Sequence, residues 1–408
     1  MTPSRTLQNP LDKGAILPGN PDMEVVLMRG KQPRQPAMFF AINVEDRIGP
    51  AHPLRPIKRM VDEELARMSP LFNDAYADIG RPSVPPEQLL KALLLQSLYS
   101  VRSEAQLIER INTDLLFRWF LNMDPAQDVF DATAFTHNRP RLEEHGIIAA
   151  FFHGVVRRAM KAGFTSDDHF SVDGTLIESY ASIKSFVPKD PKTRDKSGDG
   201  NGFKPRNSEV DFHGQKRTND THQSRTDPES RLFRKGNAPA ARLYHLGHAI
   251  CENRNGLVMA VELTPALSSA EPQAAATMLD RMKRDLRLKP RTVGADKAYD
   301  SGAFLTELEN SGIRPHVATR NSKIGGTGHR TKAQMPFVEA RKRMRRREKT
   351  LGYSLSQRCR KRIEEAFGWI KTVGGMCRTR LVGRWKIKQQ VELAAAAYNL
   401  VRIRKLAT

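Results

Sequence analysis

The stretch Ser354–Lys371, SLSQRCRKRIEEAFGWIK, decides how this chain is read. Ser354 with Gln357 three residues on has the pattern of a capping box, which predicts a helix beginning here. At helical spacing Ile363, Ala366, Phe367 and Ile370 fall on one side, the face a core would take. Arg360, Glu364 and Lys371 lie within about 40° of one another along the border of that face, whereas Glu365 points about 140° away. Taken alone, the pattern is that of an ordinary i,i+4 Arg–Glu pair on a solvated helix. Its interest depends on whether the rest of the chain supplies partners for Glu364.

The composition narrows the possibilities. The chain has 408 residues, enough for a large core and more than one domain. Its 67 Lys and Arg exceed its 45 Asp and Glu by 22 charges. Such an excess favours a polyanionic partner, nucleic acid first. No apolar run is long enough to cross a bilayer, and residues 1–50 lack the apolar core of a signal peptide. Cys251, Cys359 and Cys377 are scattered, without zinc-ligand spacing, which predicts a reducing cytoplasm and no disulfide framework.

Outward from the opening stretch, residues 1–49 read as a loose arm, with a short strand expected at Met23–Met28. Residues 50–150 carry helical periodicity, with Pro85-Pro86 suiting a helix start and Ser103 and Gln106 forming a capping box. They predict an all-α N-terminal domain, compatible with helix-turn-helix DNA reading and with a plain bundle. A helix over Ile147–Ala162 links it to residues 165–408. There Phe170–Val172 predicts a short strand ending at Asp173-Gly174, where a hairpin turn is the plainer reading. Residues 182–240 are polar and poor in aliphatics, an insertion expected to be exposed or partly disordered. Ala241–Cys251 and Leu257–Leu263 predict an antiparallel hairpin, Ala270–Leu288 an amphipathic helix, and Arg291–Ala295 a strand ending at Asp296. A helix through Asn310 and a strand over Ile313–Ala318 follow. His245 and His248 face opposite sides of their strand and make no metal pair. Three hairpin-joined strands followed by alternating helices and strands predict an α/β layer with a mixed sheet. The segment 320–353 contains Arg341–Lys349, RKRMRRREK, with seven cations in nine residues, a phosphate-facing or solvated helix.

Asp173 and Asp296 thus stand at the carboxyl ends of two strands, where sites lie in open α/β sheets. If the Ser354–Lys371 helix packs across them, three carboxylates meet, and like charges raise one another's pKa unless cations intervene. Two Mg²⁺ ions, with Mn²⁺ as a substitute, would resolve the repulsion and clamp the oxygens of a phosphodiester.

At this point the motifs resemble those of the DDE transposases of bacterial insertion sequences, specifically the insertion sequence five family. Phe170–Phe186 (FSVDGTLIESYASIKSF) resembles that family's first-Asp segment and Asp211–Arg234 its characteristic insertion. Gly294–Asp300 (GADKAYD) resembles the second-Asp segment, and Phe130–Leu142 the closing motif of its helical N-terminal domain. Arg360, Glu364 and Lys371 match most of the Tyr-x2-Arg-x3-Glu-x6-Lys signature around the third acid; Gln357 stands where the signature has Tyr. The resemblance implies a ribonuclease-H-like core with Asp173, Asp296 and Glu364 as catalytic metal ligands. It implies that Arg360 and Lys371 hold DNA phosphates, that terminal inverted repeats and target DNA are the partners, and that a homodimer assembles on DNA. The basic run adds Arg341, Lys342, Arg343, Arg345, Arg346 and Arg347 as candidate DNA contacts. No membrane and no small-molecule substrate enter this picture; a bacterial protein at the nucleoid does. A structure-specific nuclease of the same fold, and an inactive or domesticated DNA-binding protein derived from such an element, are the alternatives.

Overall fold

The computed structural model describes residues 43–76, 83–190, 217–234, 240–267, 269–320 and 331–408. The arm and its expected strand at Met23–Met28 lie outside the described residues. From residue 44 the helical periodicity becomes α1 (Val44–Arg47), α2 (Leu54–Arg67), α3 (Ser69–Ala75), α4 (Pro86–Leu98), α5 (Glu104–Thr113), α6 (Leu115–Leu121), α7 (Thr133–Glu144) and α8 (Ile147–Lys161). Local chemistry sets several starts. Pro86 opens α4, where a missing N–H costs nothing. Ser103 Oγ accepts from the Gln106 N–H at 3.2 Å, capping α5 as expected.

The second part begins with β1 (His169–Glu178), ten residues long. The strand therefore runs through Asp173-Gly174, which is neither a hairpin turn nor a strand end. β5 (Arg242–Glu252) and β6 (Val258–Pro265) form the expected hairpin, turning at Gly256, whose φ of +72° is the left-handed conformation glycine favours. Then come α9 (Ala270–Asp285), β7 (Thr292–Ala295), α10 (Gly302–Asn310) and β8 (Arg314–Val317). β1 pairs antiparallel with β5 and parallel with β7, and β7 pairs parallel with β8. The order β6-β5-β1-β7-β8 is three antiparallel strands extended by two parallel ones, the ribonuclease-H-like mixed sheet with flanking helices.

The insertion is not uniformly exposed. Among its described residues, β2 (Phe186–Pro188) pairs with β3 (His222–Ser224), and β4 (Arg231–Phe233) adds to the main sheet beside β5. Asp227 and His245 are fully buried and joined at 2.8 Å, and Ser179 Oγ donates to the same Asp227 oxygen at 2.6 Å. These bonds tie the described part of the polar segment to β1 and β5. His248 bonds Thr264 instead, so the two histidines are structural.

Past β8 follow α11 (Met335–Arg347), α12 (Leu351–Cys359), α13 (Lys361–Thr372) and α14 (Arg384–Leu406). The last of these helices lies at the centre. Ala394–Ala397 are fully buried, small enough for the backbone to pass close to α8, α4 and β6. One continuous core therefore runs from Ile48 through the sheet to Ile403. Among the described residues no helix is long and apolar enough to cross a membrane. Asn399 fixes α14 to the sheet: its side chain accepts from the Val258 N–H at 2.9 Å and donates to the Val258 carbonyl at 2.7 Å. Asn399→Ala should leave two buried backbone groups unpaired and destabilise by about 2–4 kcal/mol. Thermal or urea unfolding checks this, and a shift below 1 kcal/mol (~one poorly satisfied hydrogen bond) would show that water replaces the amide.

Candidate active site

The register of β1 on β7 brings the first two acids together. Ser171 lies opposite Gly294, so two residues further on Asp173 and Asp296 stand level on neighbouring strands, Asp296 just past the end of β7. The expectation that Asp173 ends its strand fails; β7 is the strand that ends, and it opens the space beside Asp173. Asp296 caps a short 3-10 turn, accepting from the Ala298 N–H at 2.8 Å. It faces a cleft lined by Lys297, Ala298, Thr319 and Arg320.

The third acid comes from the opening stretch, with its helix corrected. α12 starts at Leu351, not Ser354, because Thr350 Oγ1 caps it by accepting from the Tyr353 N–H. Gln357 therefore makes no capping box. Its side-chain amide donates to the carbonyls of His316 (2.6 Å) and Ala295 (3.3 Å), fastening α12 to the ends of β8 and β7. The approach is close: a Cβ at Gly294 would lie 2.8 Å from Ser356 Oγ. Arg360 is the single residue between α12 and α13. The expected apolar face of α13 holds, with Ile363, Ala366, Phe367 and Ile370 buried.

Arg360 bridges two of the acids. Its Nη1 donates to Asp173 at 3.0 Å and its Nη2 stands 4.0 Å from Glu364. Glu364 is 60% exposed, with one side open. Glu365 turns to Arg402 of α14 at 3.4 Å, so the adjacent glutamates part as the helix geometry predicts. Lys371 is half-buried in the last turn of α13. Burial pushes the Asp173 carboxyl up to about 6; Asp296 and Glu364 add to the rise, while the Gly174 N–H and Arg360 oppose it. Among the described residues no three acidic, His or Cys side chains converge closely enough to hold an ion as they stand. The donor chemistry still suits a hard divalent cation, being all carboxylate oxygen.

Much of the basic helix is engaged within the protein. Arg341 pairs with buried Asp300 at 2.7 Å, Arg343 and Arg347 both pair with Glu309, and Arg345 donates to the Arg320 carbonyl. Lys342 pairs with Glu339 on the surface, and Arg346 is exposed. Three residues beside the acids were not anticipated from the sequence. Glu271 opens α9 against Gly174, Tyr299 is buried in the 3-10 turn that Asp296 caps, and Arg320 lines the cleft that Asp296 faces. An acid in the first turn of the helix after β6 is the signal that could have found Glu271.

A family model described as a transposase domain (DUF772) matches residues 42–141, and one described as a transposase DDE domain matches residues 213–400. The chain thus carries transposase domains; the second match spans Asp296 and Glu364 and begins after Asp173. No curated protein matches. Among solved structures the chain is similar to a piggyBac transposase synaptic complex with hairpin DNA, at 8% identity over 87% of this chain and 76% of that one, TM-score 0.36. It is also similar to a Mos1 transposase paired-end complex with left transposon end, at 12% identity over 77% and 87%, TM-score 0.19.

The electrostatics predict a pH dependence. The folded Asp173 value of about 6 lies above the ~3.9 of an unfolded aspartate. A raised acid contributes stability that is fully present below the unfolded value and lost as pH rises through the folded one. The metal-free protein should therefore lose thermal stability between about pH 4 and 6. Glu271 and Glu392, both pushed to about 7 by burial, extend the decline toward neutrality. Asp173→Asn should flatten the lower part of the profile; an equally steep fall in that variant would assign it to other groups.

Proposed function

We propose that this chain, which carries a transposase DDE domain, is the transposase of a bacterial insertion sequence of the insertion sequence five family. It binds the terminal inverted repeats of its element and performs Mg²⁺-dependent strand cleavage and strand transfer. The observation that supports this is the level placement of Asp173 and Asp296 on neighbouring strands, with Glu364 within electrostatic reach of Asp173. Residues 50–150 serve as the DNA-reading part and 165–408 as the catalytic part. The protein works as a homodimer on DNA, in the cytoplasm at the nucleoid.

Asp173, Asp296 and Glu364 would hold two Mg²⁺ ions, or Mn²⁺, which supply Lewis-acid charge and an activated water at the phosphodiester. Arg360 moves from Asp173 to a DNA phosphate, and Lys371 binds another. Hydrolysis at the transposon end exposes a 3′-hydroxyl, and this attacks target DNA in line without a covalent protein intermediate. The Asp173–Arg360 ion pair is the one observation favouring an inactive DNA-binding derivative, and metal-dependent cleavage separates the two.

Asp173→Ala and Asp296→Ala should abolish cleavage of repeat-end DNA while leaving its binding largely intact, because these acids would hold metal and not phosphate. Glu364→Gln should reduce cleavage by orders of magnitude, whereas Glu365→Gln, on a surface ion pair, should change it little. Parallel assays on intact and pre-nicked ends, with folding followed by circular dichroism, decide this. An active Glu364→Gln beside a dead Glu365→Gln would reassign the third acid.

The basic helix makes a separate prediction. Neutralising Lys342, Arg346 and Lys349, all exposed, should lower the slope of log affinity against log salt by about 0.9 for each phosphate that is no longer neutralised. Neutralising Arg341, Arg343 and Arg347 should instead lower stability, since each pairs with an acid of another segment, whereas Lys342 pairs with Glu339 of its own helix. Equal effects of the two sets on the slope would show that the protein's own ion pairs open on DNA.

A further inference from the structure

A second aspartate, Asp300, follows Asp296 closely, and the mechanism above does not use its carboxylate. The two stand at opposite ends of one 3-10 turn, Lys297–Tyr299: Asp296 caps its start and Asp300 closes it. The turn aims the Asp296 side chain, one of whose oxygens accepts from the Ala298 N–H at 2.8 Å. A single 3-10 turn has poor hydrogen-bond geometry and little rigidity of its own. What holds the turn therefore decides where the Asp296 carboxylate points.

The Asp300 side chain is fully buried, and two other segments use its oxygens. Arg341 of α11 binds both of them, Nε donating to Oδ1 at 3.0 Å and Nη2 to Oδ2 at 2.7 Å. The Arg320 N–H donates to Oδ2 at 2.9 Å, and Arg320 then reaches back into the turn, its Nε donating to the Lys297 carbonyl at 2.9 Å. The basic helix holds this segment as well: Glu348 accepts from the Thr319 N–H at 2.8 Å, and Arg345 donates to the Arg320 carbonyl at 3.1 Å. Thr319 and Arg320 line the same cleft as Asp296. A buried carboxylate is costly unless paired, and a guanidinium bound through both oxygens fixes direction as well as charge. An acid needed only to dock α11 could stand on α10, as Glu309 does for Arg343 and Arg347. Asp300 stands instead where the Asp296 turn ends.

We propose that Asp300 is a positioning residue for Asp296. Its two-oxygen pairing with Arg341 fastens the turn to α11 and so fixes the direction in which the Asp296 carboxylate is presented. This rests on the reading of Asp296 as a catalytic metal ligand given above.

The test uses the full chain and two readouts: cleavage of repeat-end DNA per folded molecule, and amide hydrogen exchange at Ala298 in the metal-free protein. Asp300→Asn should lower kcat by about 10- to 100-fold with KM for DNA unchanged, since a small misplacement of a reacting group has that effect. Exchange at Ala298 should quicken by at least about tenfold while the amides of β5 keep their protection, because the opening is local. Arg341→Gln breaks the same pairing from a partly exposed side chain and should lower kcat and quicken Ala298 likewise, which covers an Asp300 variant that fails to fold. Glu309→Gln removes the other ion pairs of α11 and should cost stability while leaving kcat as it was. A folded Asp300→Asn protein with normal kcat overturns the proposal. So does a loss of rate with unchanged exchange at Ala298, or an equal loss in Glu309→Gln. Asp296→Ala separates the two levels. If it is inactive while Asp300→Asn cuts normally, the catalytic reading of Asp296 stands and the positioning role does not. If Asp296→Ala still cuts, the reading of Asp296 itself fails.

Discussion

The parallel register of β1 on β7 is the constraint from which the candidate site follows. Three residue pairs, His169 with Thr292 through Ser171 with Gly294, fix it. Because side chains alternate across a strand, a slip of one residue would turn Asp173 to the opposite face and separate it from Asp296. The register is protected by burial around it: Phe170, Val172 and Val293 are fully enclosed, and a slipped strand would expose them. The hydrophobic core under the sheet therefore positions the charged groups at its edge. The same logic applies one layer up, where Gly294 admits Ser356 and Gln357 reaches two strand-end carbonyls. Those contacts settle where α12 ends, and so where Arg360 and Glu364 begin.

Gathering carboxylates at one edge has an energetic consequence that the protein meets with its own cation. Asp173 is largely buried and feels both neighbouring acids, and Arg360 offsets part of that repulsion. The break between α12 and α13 at Arg360 keeps the guanidinium one turn from Glu364 while letting it reach β1. Ion pairs of this kind are exchangeable, because each partner gains nearly as much from another charge of the right sign. On the proposed reading, a phosphate for the arginine and a metal for the aspartate would form such an exchange.

The elements with strong periodicity were legible in the sequence, and so was the sheet they build. The β5–β6 hairpin, α9 and the buried face of α13 came directly from alternation or helical spacing. Where reading failed, the deciding contact was distant in sequence. Gln357 looked like a helix cap because its partners, Ala295 and His316, are about 40 to 60 residues away. Asp173-Gly174 looked like a turn because the glycine serves Glu271, 97 residues on, and not the backbone. Asp300 and Glu309, the partners of three arginines in the basic helix, likewise belong to other segments. Local pattern carries no trace of such pairings.

The placement of α14 bears on how the protein can be made. This helix is in the heart of the core, against α4 and α8 on one side and β6 on the other, yet it follows every other described element along the chain. A ribosome releases residues in order, and domains ordinarily complete themselves as they emerge. Here the 23 residues of α14 supply the surface that the earlier helices and β6 pack against. The core is therefore completed only when residues 384–406, the helix that α4, α8 and β6 pack against, are present.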